Sequence, residues 1–303
     1  HFPALYIISA GRDRKERIMS PTANIEVIKL SPRIGAEIRG LDLSKPVDVK
    51  MTAELNRLWL EHVVLVFRDQ ALSQEDQIRI TEVFGEVGPL GRPAEFYPKG
   101  YSEILDNIML ISNIREDGEP IGALPDGDMM FHHDMLHADI PHKGTLLYAI
   151  EVPSTGGNTF FANGYTAYET LDADVRGPLE GRMAFHHYHY GSTNTGDDLG
   201  TPAFSESTHP VFRTHEDTGR KAIYINRLMT ESVVDMADAE AKPLLDAVYD
   251  HSEKPEFVYE HVWQVGDLIL WDNRCSMHGR TDFSETERRL MLRTTIKGDS
   301  VPA

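Results

Sequence analysis

The sequence predicts a mainly β protein with a few flanking helices, arranged as a sandwich or open barrel. Three observations predict it. From about residue 105 onward, short runs rich in β-branched and aromatic residues follow one another between turn residues. Few stretches carry helical spacing. Helices and strands do not alternate as βαβ units would require. No internal repeat, low-complexity tract or Pro/Ser linker divides the chain, so a single domain over residues 19–303 is expected.

The elements follow in order. Residues 1–18 are read as an added or upstream-translated leader, with Met19 as the candidate native start. Their basic residues come after a short apolar part, the reverse of a secretory signal. "IEVIKLSPRIGAEIRGLDLS" (25–44) alternates apolar and polar residues around turn residues and suggests a strand pair. "TAELNRLWLEHV" (52–63) places Leu55, Leu58, Trp59 and Val63 at helical spacing. "VVLVFRD" (63–69) is a short buried-strand run. "SQEDQIRITEVFGEVG" (73–88) opens on a capping Ser with Glu75 and Asp76 in the first turn, and predicts a helix ending near Gly85.

Strands are then expected in "IMLISNI" (108–114), "GTLLYAIEV" (144–152), "NTFFAN" (158–163), "KAIYINRL" (221–228), "PEFVYEHVW" (255–263), "DLILWD" (267–272) and "RRLMLRTTI" (288–296). Two helices interrupt them, near 166–181 and at 238–252, where Pro243 is expected to kink the helix or start a turn.

Composition narrows the function classes. The 303 residues carry 30 basic and 48 acidic side chains, a formal charge of −18, which argues against nucleic acid and anionic membrane as partners. No run of about 18 apolar residues suggests a membrane span. The one cysteine, Cys275, allows no internal disulfide and fits a reducing compartment such as the cytoplasm.

"FHHDMLH" (131–137) packs three histidines and an aspartate among apolar residues. In an extended segment, residues two apart point to one face, so His-x-Asp presents an imidazole and a carboxylate together. That pair suits a divalent iron or similar ion, and a third ligand would complete a facial triad with open positions. The spacing alone is weak, because the tripeptide occurs three times: His132-His133-Asp134, His137-Ala138-Asp139 and His215-Glu216-Asp217. The third precedes Thr-Gly and reads as a solvated surface turn. The second precedes Ile-Pro and suits a loop.

The C-terminal stretch 266–299 runs strand, polar turn, a lone His278, another turn, then a strand. In that last strand Arg289, Met291, Arg293 and Thr295 share one face, and Leu290, Leu292 and Ile296 the other. On a surface the two guanidinium groups would be unremarkable neighbours of water. Lining a cavity, each would demand an anion, which Arg grips at two points.

These residues resemble the non-haem iron, 2-oxoglutarate-dependent dioxygenases of the taurine and dichlorophenoxyacetate dioxygenase type. The resemblance runs from about residue 25 to 299. It rests on "FHHD", "GGNTFFANGYTAYETL" (156–171), "HPVFRTHEDTGRKAIYIN" (209–226), "GDLILWDNRCSMH" (266–278) and "RRLMLRTTIKGD" (288–299), in that order.

The resemblance implies a double-stranded β-helix, or jelly roll, with flanking helices. It implies His132, Asp134 and His278 as metal ligands, and Thr159 and Arg289 as the grip on the distal carboxylate of 2-oxoglutarate. Arg293 falls where relatives place a second Arg near the substrate anion or the cosubstrate. The cofactors implied are Fe(II), 2-oxoglutarate and O2, with succinate and CO2 released as a C–H is hydroxylated. His133 is expected to be structural. His137 is left between supporting the site and touching substrate. Relatives are often dimers or tetramers, so a homo-oligomer is expected.

The substrate expected is a small, anionic organic molecule: an aryloxyalkanoate, a sulfonate or a sulfate ester. Taurine is disfavoured, because "FGEVGPLGRPAEFY" (84–97) lacks the His of taurine enzymes and Asp128 stands near their Asn. Met129, Met130, Met135 and Leu136 suggest a larger or more apolar substrate, though Met clusters also serve as core filler. "FHHYHYGSTNTGDD" (185–198) is a candidate lid. Three rivals remain: an amino-acid hydroxylase of the same chemistry, a zinc-dependent hydrolase using the same three ligands, and a noncatalytic jelly-roll binding protein.

Overall fold

The computed structural model describes residues 17–20, 25–90, 104–123, 127–190, 192–194 and 204–303. Most of the leader and parts of the 84–97, 125–131 and 185–198 windows therefore lie outside the described residues. The chain opens with an antiparallel ladder of β1 (Arg17–Met19), β2 (Glu26–Lys29) and β3 (Ala36–Arg39). Helix α1 (Val49–His62) starts where the Asp48 carboxylate accepts the Met51 N–H. It ends at β4 (Val64–Phe67), which joins β3 in parallel.

Helix α2 (Gln74–Glu82) begins in a reciprocal cap: Ser73 accepts the Asp76 N–H and the Asp76 carboxylate accepts the Ser73 N–H. After it come β5 (Met109–Ser112), a small hairpin of β6 (Arg115–Glu116) and β7 (Glu119–Pro120), then β8 (Met129–His132), β9 (Gly144–Glu151) and β10 (Thr159–Asn163). The helical region near 166–181 is two helices, α3 (Gly164–Thr170) and α4 (Ala173–Leu179). Leu171 between them is extended, and Asp172 caps the second.

Strands β11 (Met183–His189), β12 (Phe204–Pro210), β13 (Phe212–Thr214), β14 (Lys221–Ile223) and β15 (Thr230–Val233) follow. The run expected as a strand over 221–228 stops at Ile223 because Asn226 turns the chain: its side chain accepts the Met229 N–H and its carbonyl the Thr230 N–H. Helix α5 (Asp238–Ser252) runs unbroken through Pro243, so no turn starts there. The chain closes with β16 (Val258–His261), β17 (Leu268–Asp272), β18 (Ser276–Arg280) and β19 (Leu290–Ile296).

Two sheets carry the architecture. The larger has eight strands in the order β1-β2-β3-β4-β17-β9-β19-β5, and the smaller has four in the order β16-β10-β18-β8. The protein is thus mainly β with few helices, as predicted. Side chains of the larger sheet alternate between two cores. Leu65 and Phe67 of β4, Leu268 and Leu270 of β17, and Leu146 and Tyr148 of β9 pack with Leu55, Leu58 and Trp59 of α1.

Their neighbours Val64, Val66, Ile269, Trp271, Leu147 and Ala149 pack with Phe161 of the smaller sheet and Tyr165 of α3. Burial on both faces is why these runs read as continuously apolar rather than alternating. Each fully buried Leu or Ile contributes about 1.5–3 kcal/mol. A separate three-stranded sheet has the order β12-β11-β15. Among the described residues no helix is long and apolar enough to cross a membrane.

Candidate active site

Strand pairing creates the first contact of the site. β8 and β18 run antiparallel with His132 directly opposite His278. The two rings lie 4.1 Å apart, centroid to centroid. His278 is therefore inside a strand, not in the turn expected for it, and Phe161 of β10 is its partner on the other side. The shared strand face expected for His132 and Asp134 is also replaced. β8 ends at His132, and Asp134 lies in the turn that follows. Proximity survives because that turn folds the carboxylate back.

The carboxylate is held from the larger sheet. Thr145 of β9 donates its hydroxyl to Asp134 Oδ2 at 2.7 Å, and Asn273 donates to Thr145 Oγ1 at 2.9 Å. Oδ1 is left facing His132 Nε2 and His278 Nε2, each 3.9 Å away. The three potential ligand atoms all lie within 4.8 Å of one another. His132 Nδ1 sits 3.0 Å from the Met130 carbonyl, which draws the ring proton to that nitrogen and leaves Nε2 with its lone pair toward Asp134.

The protonation states suit a cation. Burial alone would raise the Asp134 pKa, but the Arg293 guanidinium, His278 and His132 outweigh it and hold the carboxyl well below the usual range. Arg293 Nη2 pairs with Oδ1 at 2.9 Å. Burial pushes both His132 and His278 down, so each imidazole is neutral at neutral pH. One carboxylate and two neutral imidazoles form the donor set a divalent iron takes in a facial triad.

Arg289 and Thr159 stand on opposite sheets around the same pocket. Arg289, directly before β19, is 3 % exposed. Its backbone N–H donates to Asn113 Oδ1 at 3.0 Å. Its Nε is buried without a partner, and among the described residues no carboxylate pairs with its guanidinium. Burial, and then the Arg280 charge, pull its pKa down to about 9. A buried guanidinium in that condition calls for an anion. Thr159 of β10 accepts the Trp263 indole N–H at 3.0 Å, which leaves its hydroxyl proton for another acceptor. These orphaned donors fit the far carboxylate of a keto-diacid.

The pocket encloses about 120 Å³. Arg293 and Thr295 share its wall with Arg289, as the one-face reading of the last strand predicts. Met109, Leu147 and Met229 also line it, and no sequence signal distinguished them from ordinary core residues. His137 lines it too, stacked on Tyr188 at 5.0 Å and 18°. His133 points away and packs on Tyr224, with Asn226 Nδ2 3.3 Å from its Nδ1. Burial, then His132, push its pKa down to about 3. Of the candidate lid, residues 185–189 are strand β11, and Tyr188 faces the pocket.

The third His-x-Asp is a turn, as expected, with Glu216 and Asp217 exposed, but its histidine is not solvated. His215 is fully buried, 3.0 Å from Asp272 Oδ2. Asp272 also accepts from the Arg274 backbone N–H, Nε and Nη2. His215, Asp272 and Cys275 lie close enough to suggest a second metal site. With both Asp272 oxygens already engaged by a guanidinium, this cluster is a closed structural network.

The model of the taurine catabolism dioxygenase TauD, TfdA family matches residues 26–295. The chain is 31 % identical over 291 residues to an (S)-phenoxypropionate/alpha-ketoglutarate-dioxygenase of Sphingobium herbicidovorans, covering 93 % of this chain and 97 % of that protein. It is 33 % identical over 304 residues to an alpha-ketoglutarate-dependent 2,4-dichlorophenoxyacetate dioxygenase of Cupriavidus pinatubonensis, covering 93 % and 100 %. It is 28 % identical over 294 residues to an alkylsulfatase of Acinetobacter baylyi, covering 93 % and 88 %.

Among solved structures, a putative alpha-ketoglutarate-dependent taurine dioxygenase from Burkholderia xenovorans superposes with a TM-score of 0.77 at 31 % identity, covering 92 % and 94 %. AAD-2 in complex with Mn(II) and N-oxalylglycine does so at 0.74 and 27 %, covering 93 % and 100 %. The chain belongs to the taurine catabolism dioxygenase TauD/TfdA family.

Proposed function

We propose that this protein is an Fe(II)- and 2-oxoglutarate-dependent dioxygenase that hydroxylates a C–H of a small organic anion. The classes favoured are aryloxyalkanoates and sulfate esters, with sulfonates third. The observation that carries the reading is one pocket holding both a His132–Asp134–His278 donor set and a buried, anion-seeking Arg289. A zinc hydrolase would have use for the first and none for the second. We read the two facing sheets as a double-stranded β-helix. The relatives' range, from phenoxypropionate and 2,4-dichlorophenoxyacetate dioxygenases to an alkylsulfatase, supports an anion with an apolar body.

His132, Asp134 and His278 would hold the metal, and the cosubstrate would complete its coordination. Bound Fe(II) supplies the oxidising chemistry by which 2-oxoglutarate, O2 and substrate become succinate, CO2 and the hydroxylated product. The protein's residues hold and orient. Thr145 fixes one Asp134 oxygen so that the other faces the imidazoles. Arg289 grips the far carboxylate of 2-oxoglutarate, with Thr159 donating a hydrogen bond. Arg293, the cation beside Asp134, offers the substrate anion its partner. Leu147, Trp271 and the methionines exclude water from the reacting face.

A succinate-release screen with Fe(II), ascorbate and O2 across aryloxyacids, sulfate esters, sulfonates and amino acids tests the reading. Succinate that depends on one of the first three classes is expected. Hydrolysis by a zinc-loaded protein without 2-oxoglutarate would overturn it.

A further inference from the structure

Met135 adopts a backbone conformation that methionine rarely takes, with φ at +59°. Among the described residues five other non-glycines share a positive φ. Asp69, Asn107, Asp117 and Asp235 have the short polar side chains that tolerate it, and Val63 closes α1. Met135 has neither feature.

The surroundings impose this conformation. The Ala138 N–H bonds back to the Met135 carbonyl at 2.9 Å. From β12, Ser207 donates its hydroxyl to the Leu136 carbonyl at 2.6 Å, and Ser205 donates to the His137 carbonyl at 3.0 Å. His209 Nε2 meets the Ala138 carbonyl at 2.8 Å. Three consecutive carbonyls are thus pinned to one strand, and Leu136 is sealed inside. Strain of this kind persists where the structure around it is over-determined, and it gathers at functional sites.

A glycine would satisfy this turn without strain. What methionine adds is a side chain, and that side chain lines the pocket directly after Asp134. Met129 and Met229 line the same pocket. Thioether chains are flexible and polarizable, and they adapt to apolar bodies of irregular outline.

We propose that Met135 is a specificity-determining residue. Its side chain is the wall against which the apolar body of the substrate is gauged, and the left-handed turn holds it there. The proposal rests on the dioxygenase reading and names the part of the pocket that selects among organic anions.

Two variants separate side chain from backbone. Met135→Ala removes the wall and keeps the strained Cβ. Met135→Gly removes both. Succinate release is measured for wild type and both variants along two series, straight-chain alkyl sulfates and 4-alkylphenoxyacetates of rising chain length. Thermal melting is measured on the same proteins.

In both variants we expect the preferred chain length to move upward, with kcat/KM for the wild type's preferred member falling about tenfold or more. Elsewhere Gly melts below Ala; here Met135→Gly should melt above Met135→Ala, by about 2 °C. An unchanged preferred length in both variants, with succinate still formed, overturns this proposal alone. Gly melting below Ala overturns its backbone half. No succinate from wild type with either series overturns the functional reading, and this one with it.

Discussion

Arg289 shows how far a single residue can be read. Its type and its place on one face of the last strand were legible, and so was its need for an anion. That it is buried, with its Nε unpartnered among the described residues, was not, because an exposed strand could carry the same pattern. Replacing it with Ala should raise the KM for 2-oxoglutarate about tenfold to a hundredfold, the worth of hydrogen bonds to a charged group. Steady-state kinetics at saturating substrate would show it, and an unchanged KM would move the role elsewhere. His278→Ala should abolish tight Fe(II) binding, read by titration calorimetry, because two remaining donors leave a weak site. His132, Asp134 and His278 were singled out through distinctive residue types in a familiar order, and the fold brings them together. Met109, Leu147 and Met229 were not, because apolar residues that line a pocket have the same composition as those that fill a core.

Elements were legible where one face or both were buried along the whole length. α1, α2, β4, β9 and β17 fall within a few residues of their expected bounds. β18 was missed because "SMHGR" has neither apolar alternation nor length, and tertiary pairing with β10 and β8 makes it a strand. The His-x-Asp turn was missed because a strand and a tight turn can both bring residues two apart together. Close approach between elements leads to a further prediction. A Cβ on Gly144, at the start of β9, would lie 2.7 Å from Trp59 of α1 and 3.0 Å from the Trp271 carbonyl of β17. Gly144→Ala should therefore cost about 1–3 kcal/mol by overpacking. Calorimetry should show a lowered Tm; an unchanged one would mean that α1 yields freely.

The molecule buries several histidines as neutral groups, and these shape its response to acid. Burial and its neighbours hold His133 at about 3, and burial first, then Arg293, hold His142 at about 4, both against 6.5 for a free imidazole. His186 is depressed in the same direction by burial. Between those values the unfolded chain binds more protons than the folded one, so stability rises with pH. The contribution is complete above about pH 6.5 and is lost as pH falls toward 4 and then 3. Melting temperatures measured from pH 7 down to pH 4 should decline steadily; a flat profile would contradict the burial of these rings.

The two layers of the sandwich share the site unequally. The three proposed metal donors come from β8, its following turn and β18, whereas Arg293 belongs to β19 on the opposite sheet and Arg289 directly precedes that strand. A keto-diacid chelated at one end and clasped at the other would span the gap like a removable strut. A mono-acid such as pyruvate, too short to reach both walls, would leave the halves of the sandwich unbraced.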